Sequence, residues 1–245
     1  MVSSTNSLKS ILLTGGSGQF GQEIIKCTPR ARYKIHYPDS SEVDVTDKSS
    51  ICKALNKYTP NIVIHCAAMT RPMINHKVSP HKSLDINIIG TSYLASECSK
   101  RNIKMVYIST DYVYKGDCGL YKETDEVLPV NHYAMSKLGG EMAVQMLPNY
   151  LIFRAALFPP DFNHTMAFSD VKKSYITMSE ASSILWDAIS KDLAGIYNLG
   201  GDPQTVFNYV KSIKPDVNAG SYKDCQEPVP TDISLSIQKL KDHLL

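Results

Sequence analysis

The order of residues predicts an α/β fold built on a doubly wound parallel sheet. From Lys9 onward, short apolar runs alternate with amphipathic stretches, the pattern of strand and helix units that assemble a parallel sheet. A glycine-rich turn, Thr14-Gly15-Gly16-Ser17-Gly18-Gln19-Phe20-Gly21, follows the first apolar run directly. Further on, Tyr133 and Lys137 stand four residues apart in a helical stretch, so they share one face of that helix.

The first strand is Ile11-Leu12-Leu13-Thr14, and the glycine turn leads into a helix that runs to about Cys27. Tyr33 to Tyr37 is a short second strand. Thr46 or Asp47 can cap the next helix, which extends to about Tyr58. Ile62-Val63-Ile64-His65 is the third strand, and a long helix from about Ser83 to Lys100 carries Leu84, Ile88, Ala95 and Cys98 at helical spacing. The fourth strand is Lys104 to Ser109. The Tyr133 helix starts after Pro129 with Asn131 as N-cap and stops at Pro148; Met135, Leu138, Met142 and Met146 form its apolar stripe and are read as core. Leu151 to Arg154 is a fifth strand, Met178 to Ser190 a helix, and Gly195 to Leu199 a late strand. Residues 216–230, rich in turn formers, are expected to be loop, with a closing helix over 234–243.

A chain of 245 residues with 43% apolar content can bury one compact core or a core plus a small lobe. With 26 basic and 24 acidic residues, the net charge of +2 gives no broad field for nucleic acid or an anionic membrane. No apolar run approaches the roughly 20 residues of a membrane-spanning helix, and residues 1–10 have no apolar core like that of a signal peptide. The expectation is a cytoplasmic protein. Six cysteines without C-x-x-C spacing read as reduced thiols, with no metal site indicated.

Gly15, Gly18 and Gly21, placed after a strand and at a helix start, match a dinucleotide-binding fingerprint and make the fold Rossmann-type. A pyrophosphate would lie on the helix N-terminus, where free N–H groups and the dipole favour negative charge. The usual acidic partner for the adenosine ribose is not clearly placed, since Asp39 lies beyond Pro38. Asp44 is a candidate for the adenine amino group and equally for a helix cap. Cys66, Ala67 and Ala68 follow the third strand at the ligand edge of the sheet. His65 reads as a satisfied core histidine, and Cys66 as a small buried side chain and not a nucleophile. Ser109, Thr110 and Asp111 end the fourth strand, where either hydroxyl could bond a substrate carbonyl while Tyr133 protonates it. A lysine ammonium near the phenol, whose free pKa is roughly 10, makes it a usable acid near neutrality.

These stretches, TGGSGQFGQ, IHCAAMT, YISTDYVYKG and YAMSKLGGE, resemble the extended short-chain dehydrogenase/reductases, and more narrowly the dTDP-4-dehydrorhamnose reductase group. The resemblance runs from Lys9 to about Ala155, with later pieces at Gly195 to Leu199 and Pro230 to Leu240. It implies NADP or NAD as cofactor, with the preference open. Gly15, Gly18, Gln19, Phe20 and Gly21 would hold the pyrophosphate, Asp44 and Val45 the adenine, Cys66, Ala67 and Ala68 the middle of the cofactor, and Tyr133 with Lys137 the nicotinamide side.

Thr110 and Asp111 would meet the sugar. The implied reaction is hydride transfer to the C4 ketone of a nucleotide-linked 4-keto-6-deoxysugar: Tyr133 supplies the proton, Lys137 binds the nicotinamide ribose and depresses the tyrosine pKa, and Thr110 polarises the ketone. The division implied is a cofactor-binding unit over 1–155 and a substrate lobe over 156–245, trimmed because only about twenty residues separate Arg154 from Ile176. Arg154, Lys172 and Lys173 are the nearest cations for nucleotide phosphates, and a homodimer is a common assembly in the family. The same scaffold carries epimerases and dehydratases. His65 to Pro72 also resembles the regulatory β subunit of methionine adenosyltransferase, which implies the alternative of a non-catalytic NAD(P)-binding regulator.

Overall fold

The computed structural model describes residues 8–225 and 229–244. The signal-peptide reading of residues 1–7 and the loop assigned to 226–228 lie outside the described residues. Strands β1 (Lys9–Thr14), β2 (Tyr33–His36), β3 (Ile62–His65), β4 (Lys104–Thr110), β5 (Tyr150–Ala155) and β6 (Gly195–Leu199) form one sheet in the order β6-β5-β4-β3-β1-β2. Every pairing in it is parallel. The order reverses between β1 and β3, and ligands of open α/β sheets bind in the crevice beyond the strand ends at such a reversal. Thr14 pairs with His65 and Thr110 with Ala155, so the strands deliver their C-terminal residues to one edge.

Helices α1 (Gln19–Lys26), α2 (Lys48–Tyr58), α3 (Thr91–Lys100), α4 (His132–Gln145), α5 (Met178–Ser190), α6 (Val206–Ile213) and α7 (Gln238–Leu244) flank the sheet and the small lobe. Because successive strand residues point to opposite faces, Ile11 and Leu13 pack with Ile64, Val106 and Phe153 against Ile24 of α1 and Leu185 and Trp186 of α5. Leu12, Val63, Met105 and Tyr107 face the other way, onto Leu55 of α2, Leu94 of α3 and Val144 of α4. Burial on both faces explains the nearly unbroken apolar runs of β3 and β4. Trp186 also donates its indole N–H to the Ile24 carbonyl at 3.1 Å, locking α5 onto α1.

Three expectations need correction. The methionine stripe of α4 is not core: Met135, Met142 and Met146 are 51%, 44% and 84% exposed. The buried face carries Ala134, Ser136, Lys137, Gly140, Glu141 and Val144 instead, because its polar groups have buried partners. The helix expected over 83–100 is helical throughout but not uniform. A four-residue helix at Pro80–Ser83 passes into a π-helical turn at Leu84–Gly90 before α3, and Leu84 is exposed. The wide turn carries fully buried Asn87, which accepts from Met69 N and donates to Met69 O and Ser136 Oγ at 2.8–3.0 Å. The closing helix starts at Gln238, later than expected.

The helix α6 had no sequence counterpart. It belongs to a small core of Phe158, Ala167, Val171, Val206, Val210 and Val217, stitched by two- and three-residue strands such as Met166–Phe168 with Asn218–Gly220. Among the described residues, no helix is long and apolar enough to cross a membrane.

The position of α4 depends on an ion pair. Arg154 on β5 donates from Nε and Nη2 to Glu141 Oε1 at 3.1 and 2.7 Å, and Ser109 on β4 donates to Glu141 Oε2 at 2.5 Å. Both charged side chains are almost wholly buried. At the start of α4, the Asn131 side chain accepts from Ala134 N at 2.9 Å, a cap worth about 1 kcal/mol. Gly140 brings the helix close to the π turn, since a Cβ there would lie 2.5 Å from the Asn87 carbonyl oxygen. Glu141→Leu leaves a buried guanidinium unpaired and is expected to cost about 3–5 kcal/mol in urea unfolding, with much of the loss recovered in Glu141→Leu/Arg154→Met.

Candidate functional site

The glycine turn lies between β1 and α1 at the point of strand reversal. Gly15 has φ +76°, and a Cβ on it would lie 2.4 Å from the Ala67 nitrogen, so the loop after β3 lies directly on the turn. Gly21 is equally confined, 2.3 Å from the Gly15 carbonyl. No side chain caps α1, which leaves its first N–H groups for an anion. Gln19 donates to Asp161 Oδ1 at 2.9 Å, tying that first turn to the loop after Phe158.

Two cavities meet across this turn. One, of about 310 Å³, runs from Gly15, Gly18, Gln19, Phe20 and Gly21 past Cys66 and Ala68 to Thr110, Asp111, Tyr133 and Lys137. The other, of about 590 Å³, is lined by Ser17, Asp39, Asp44, Val45, Ala67 and Ala68. Every residue singled out from the sequence for the cofactor or the sugar therefore lines one of these two spaces, and Gly15, Gly18, Cys66 and Ala68 line both. The volumes fall in the range of small-molecule sites.

Tyr133 and Lys137 share the inward face of α4 with Glu141, four residues further on. Burial pushes the Tyr133 phenol up to about 12; the Thr110 hydroxyl pulls it down, Asp111 pushes it up and Lys173 pulls it down. Burial draws Lys137 down to about 7, against the pull of Cys66 and Glu141, and its ammonium lies 4.2 Å over the Tyr107 ring. Burial thus outweighs the neighbouring cations, and the phenol lies above its ordinary value instead of being depressed by Lys137 as expected; Lys173 is among the groups that pull it down. Both residues at the tip of β4 line the cavity, but the Ser109 hydroxyl is committed to Glu141, whereas Thr110 donates to Asp111 Oδ1 at 3.1 Å.

The three cations considered for nucleotide phosphates separate. Arg154 is outside the cavity, held by Glu141 and the Tyr114 hydroxyl. Lys172 lies on the surface, 3.9 Å from Asp232. Lys173 lines the cavity with its Nζ 2.9 Å from Asp111 Oδ2 and over the rings of Tyr112 and Tyr175 at 4.1 and 4.9 Å. Burial disfavours its charge, but Asp111, Tyr112 and Tyr175 outweigh that and hold the ammonium above the ordinary lysine range. Arg71, Tyr112 and Tyr175 also line the cavity without having stood out in the sequence. Arg71 and Tyr175 sit in segments with no periodicity to flag them; Tyr112 directly follows Asp111, so the strand-end motif was the available signal.

The chain matches the family model described as the RmlD substrate binding domain over residues 9–171. It belongs to that family. A dTDP-4-dehydrorhamnose reductase from Aggregatibacter actinomycetemcomitans is 32% identical over 149 residues, covering 60% of this chain and 50% of that protein. Methionine adenosyltransferase 2 subunit beta of Mus musculus is 29% identical over 143 residues, covering 56% of this chain and 42% of that one. Among solved structures, the dTDP-4-dehydrorhamnose reductase of Bacillus anthracis in complex with NADP superposes with a TM-score of 0.88 at 25% identity, covering 96% of this chain and 92% of that chain. The chain spans about half the length of the curated relatives it matches.

Of the two roles expected of Asp44, the helix cap is not one it fills. Its Oδ1 accepts from Thr46 N and Thr46 Oγ1 at 2.8 Å while the residue lines the larger cavity; the cap of α2 is Asp47, which accepts from Ser49 N. Burial pushes the Cys66 thiol up to about 12, which keeps it a thiol at neutral pH. His65 is the core histidine that the sequence suggested: fully buried, it bonds Thr14 Oγ1 through Nδ1 at 2.6 Å and Thr91 Oγ1 through Nε2 at 2.9 Å. Burial, then Lys137, pushes its pKa down to about 3 from an ordinary 6.5. Between those values the unfolded chain binds the extra proton, so this contribution is complete above about pH 6.5 and is lost as pH falls toward about 3. Thermal unfolding followed against pH is expected to show that acid slope, flattened in His65→Gln.

Proposed function

We propose that the chain is an NAD(P)H-dependent reductase acting on the C4 ketone of a nucleotide-linked 4-keto-6-deoxysugar, with residues 1–155 as the cofactor-holding unit and 156–245 as a reduced substrate lobe. The carrying observation is the convergence of Thr110, Tyr133 and Lys137 on the cavity that begins at the glycine turn. Support for a dinucleotide comes from the close backbone approach at Gly15, which a Cβ would fill, and from the uncapped α1; together these suit a pyrophosphate. Relatives named for the reduction of dTDP-linked sugars support the substrate class, and a solved relative holds NADP.

When bound, a reduced nicotinamide supplies the hydride. The remaining work falls to this chain. The free N–H groups at Gln19 to Gly21, with the glycine turn at Gly15 and Gly18, would hold the pyrophosphate, Asp44 and Val45 would flank the adenine, and the small side chains of Cys66, Ala67 and Ala68 would line the middle. Thr110 turns its hydroxyl hydrogen from Asp111 to the ketone oxygen, and Tyr133 transfers its phenolic proton there as the carbonyl carbon is reduced. The ketone becomes a secondary alcohol and Tyr133 a phenolate. Lys137, with its pKa drawn down to about 7, binds the nicotinamide ribose and can return a proton to that phenolate from water. Asp111 accepts from a sugar hydroxyl while paired with Lys173, 2.9 Å away. A homodimer working in the cytoplasm accompanies this reading.

A second reading is a cofactor-holding regulator similar to the matched methionine adenosyltransferase 2 subunit beta. On its side is the short course from Phe158 to Ile176, which folds onto its own small core. An epimerase or dehydratase would need one more acid or base beside Tyr133. NAD(P)H oxidation measured with dTDP-, UDP- and GDP-linked 4-keto-6-deoxysugars is expected to show turnover that Tyr133→Phe lowers by about 10²–10⁴-fold. Equal rates would remove Tyr133 from the reaction. Absence of turnover on all three, with capture of a methionine adenosyltransferase catalytic subunit, would favour the regulator.

A further inference from the structure

We infer that the adenosine end of the cleft accepts a free ribose 2′-hydroxyl and rejects a 2′-phosphate, with Asp39 as the discriminating residue, so that NADH is preferred to NADPH. The inference rests on the cofactor part of the reading above. Rossmann-type sites tell the two apart with a carboxylate or a guanidinium beyond the second strand, and here the observations favour the carboxylate. Asp39 lines the larger cavity together with Ser17, Ser40 and Asp44, and among the described residues lining it there is neither lysine nor arginine.

The local wiring holds that carboxylate in place. Ser41 N, Ser41 Oγ and Glu42 N donate to Asp39 at 2.8, 2.6 and 3.2 Å, and all three reach Oδ1, so a ligand hydroxyl has Oδ2 to donate to. The same bonds, the Ser41 hydroxyl foremost, lower the Asp39 pKa below the ordinary carboxylate value, keeping it charged at neutral pH. Of the neighbouring groups, Lys57 pairs with Glu42 at 3.5 Å. His36 is held below its ordinary pKa by burial and by Lys34 and Lys57, and it does not line the cavity. Asp44 adds a second carboxylate to the cavity wall. A phosphate placed there would bring further negative charge with no cation lining the wall. Because Asp39 is exposed, salt should weaken the repulsion.

Direct binding of NADH and NADPH to the full chain, followed by nicotinamide fluorescence without substrate, tests this. NADPH is expected to bind about tenfold more weakly at low salt, the ratio that a phosphate a few ångströms from one carboxylate gives in water, and the gap should narrow as salt is raised. Asp39→Asn keeps an oxygen for Ser41 and Glu42 but removes the charge and replaces the free Oδ2 acceptor with a donating amide. It is expected to tighten NADPH several-fold and to weaken NADH, so that the gap closes or reverses. Equal or tighter binding of NADPH by the native chain, or a gap unchanged in Asp39→Asn, would overturn the assignment and leave the reductase reading intact. Binding of neither nucleotide would overturn both.

Discussion

A single buried ion pair determines how the helix that carries Tyr133 and Lys137 is set against the sheet. Tyr133, Lys137 and Glu141 follow one another at four-residue intervals along α4, so fixing one of them fixes the rotation of the helix and aims the other two. Glu141 is the one that is fixed, bonded by Arg154 from β5 and by Ser109 from β4. The strands bearing those two partners are themselves paired, with Ser109 in register with Arg154. The carboxylate thus bridges adjacent strands and holds the helix across them. Charges this deeply buried stabilise little on net balance; what they supply is a defined geometry at the edge of the sheet.

Burial has opposite consequences for the two groups that this geometry delivers. It raises the phenol of Tyr133 and lowers the ammonium of Lys137, bringing the lysine near neutrality while the tyrosine remains a proton donor. Lys173 and Asp111 form a second charge pair in the same cavity, and their fields act on Tyr133 with opposite signs. Under the proposed reading, a substrate that engages Asp111 would disturb that balance where Tyr133 gives up its proton.

Much of this was legible in the residues, and the exceptions share a cause. The strands of the sheet were readable because both faces are buried and their apolar runs end at glycine, histidine or hydroxyl residues. His65, Asn131 and the Gly15 turn were readable from local chemistry alone. The α4 face was misread because periodicity assumes that the apolar side faces inward. Here Lys137 and Glu141 are the buried side and Met135, Met142 and Met146 the exposed one, an inversion expected where function overrides packing. The π turn with Asn87, and the small lobe with α6, depend on contacts between residues far apart in the chain, such as Ala167 with Ala219. No local pattern records such pairings. Lys173 was visible as a lysine, but its place opposite Asp111 was not.

Transfer of label tests the catalytic claim most directly. NADH carrying deuterium at the transferable C4 position of the nicotinamide would be incubated with a dTDP-linked 4-keto-6-deoxysugar and the product analysed by mass spectrometry and NMR. Reduction at the Tyr133 site predicts one deuterium on the sugar at C4 for each nicotinamide oxidised. Oxidation of the cofactor with an unlabelled sugar, or cofactor that binds and keeps its deuterium in the presence of every 4-keto-6-deoxysugar offered, would contradict it.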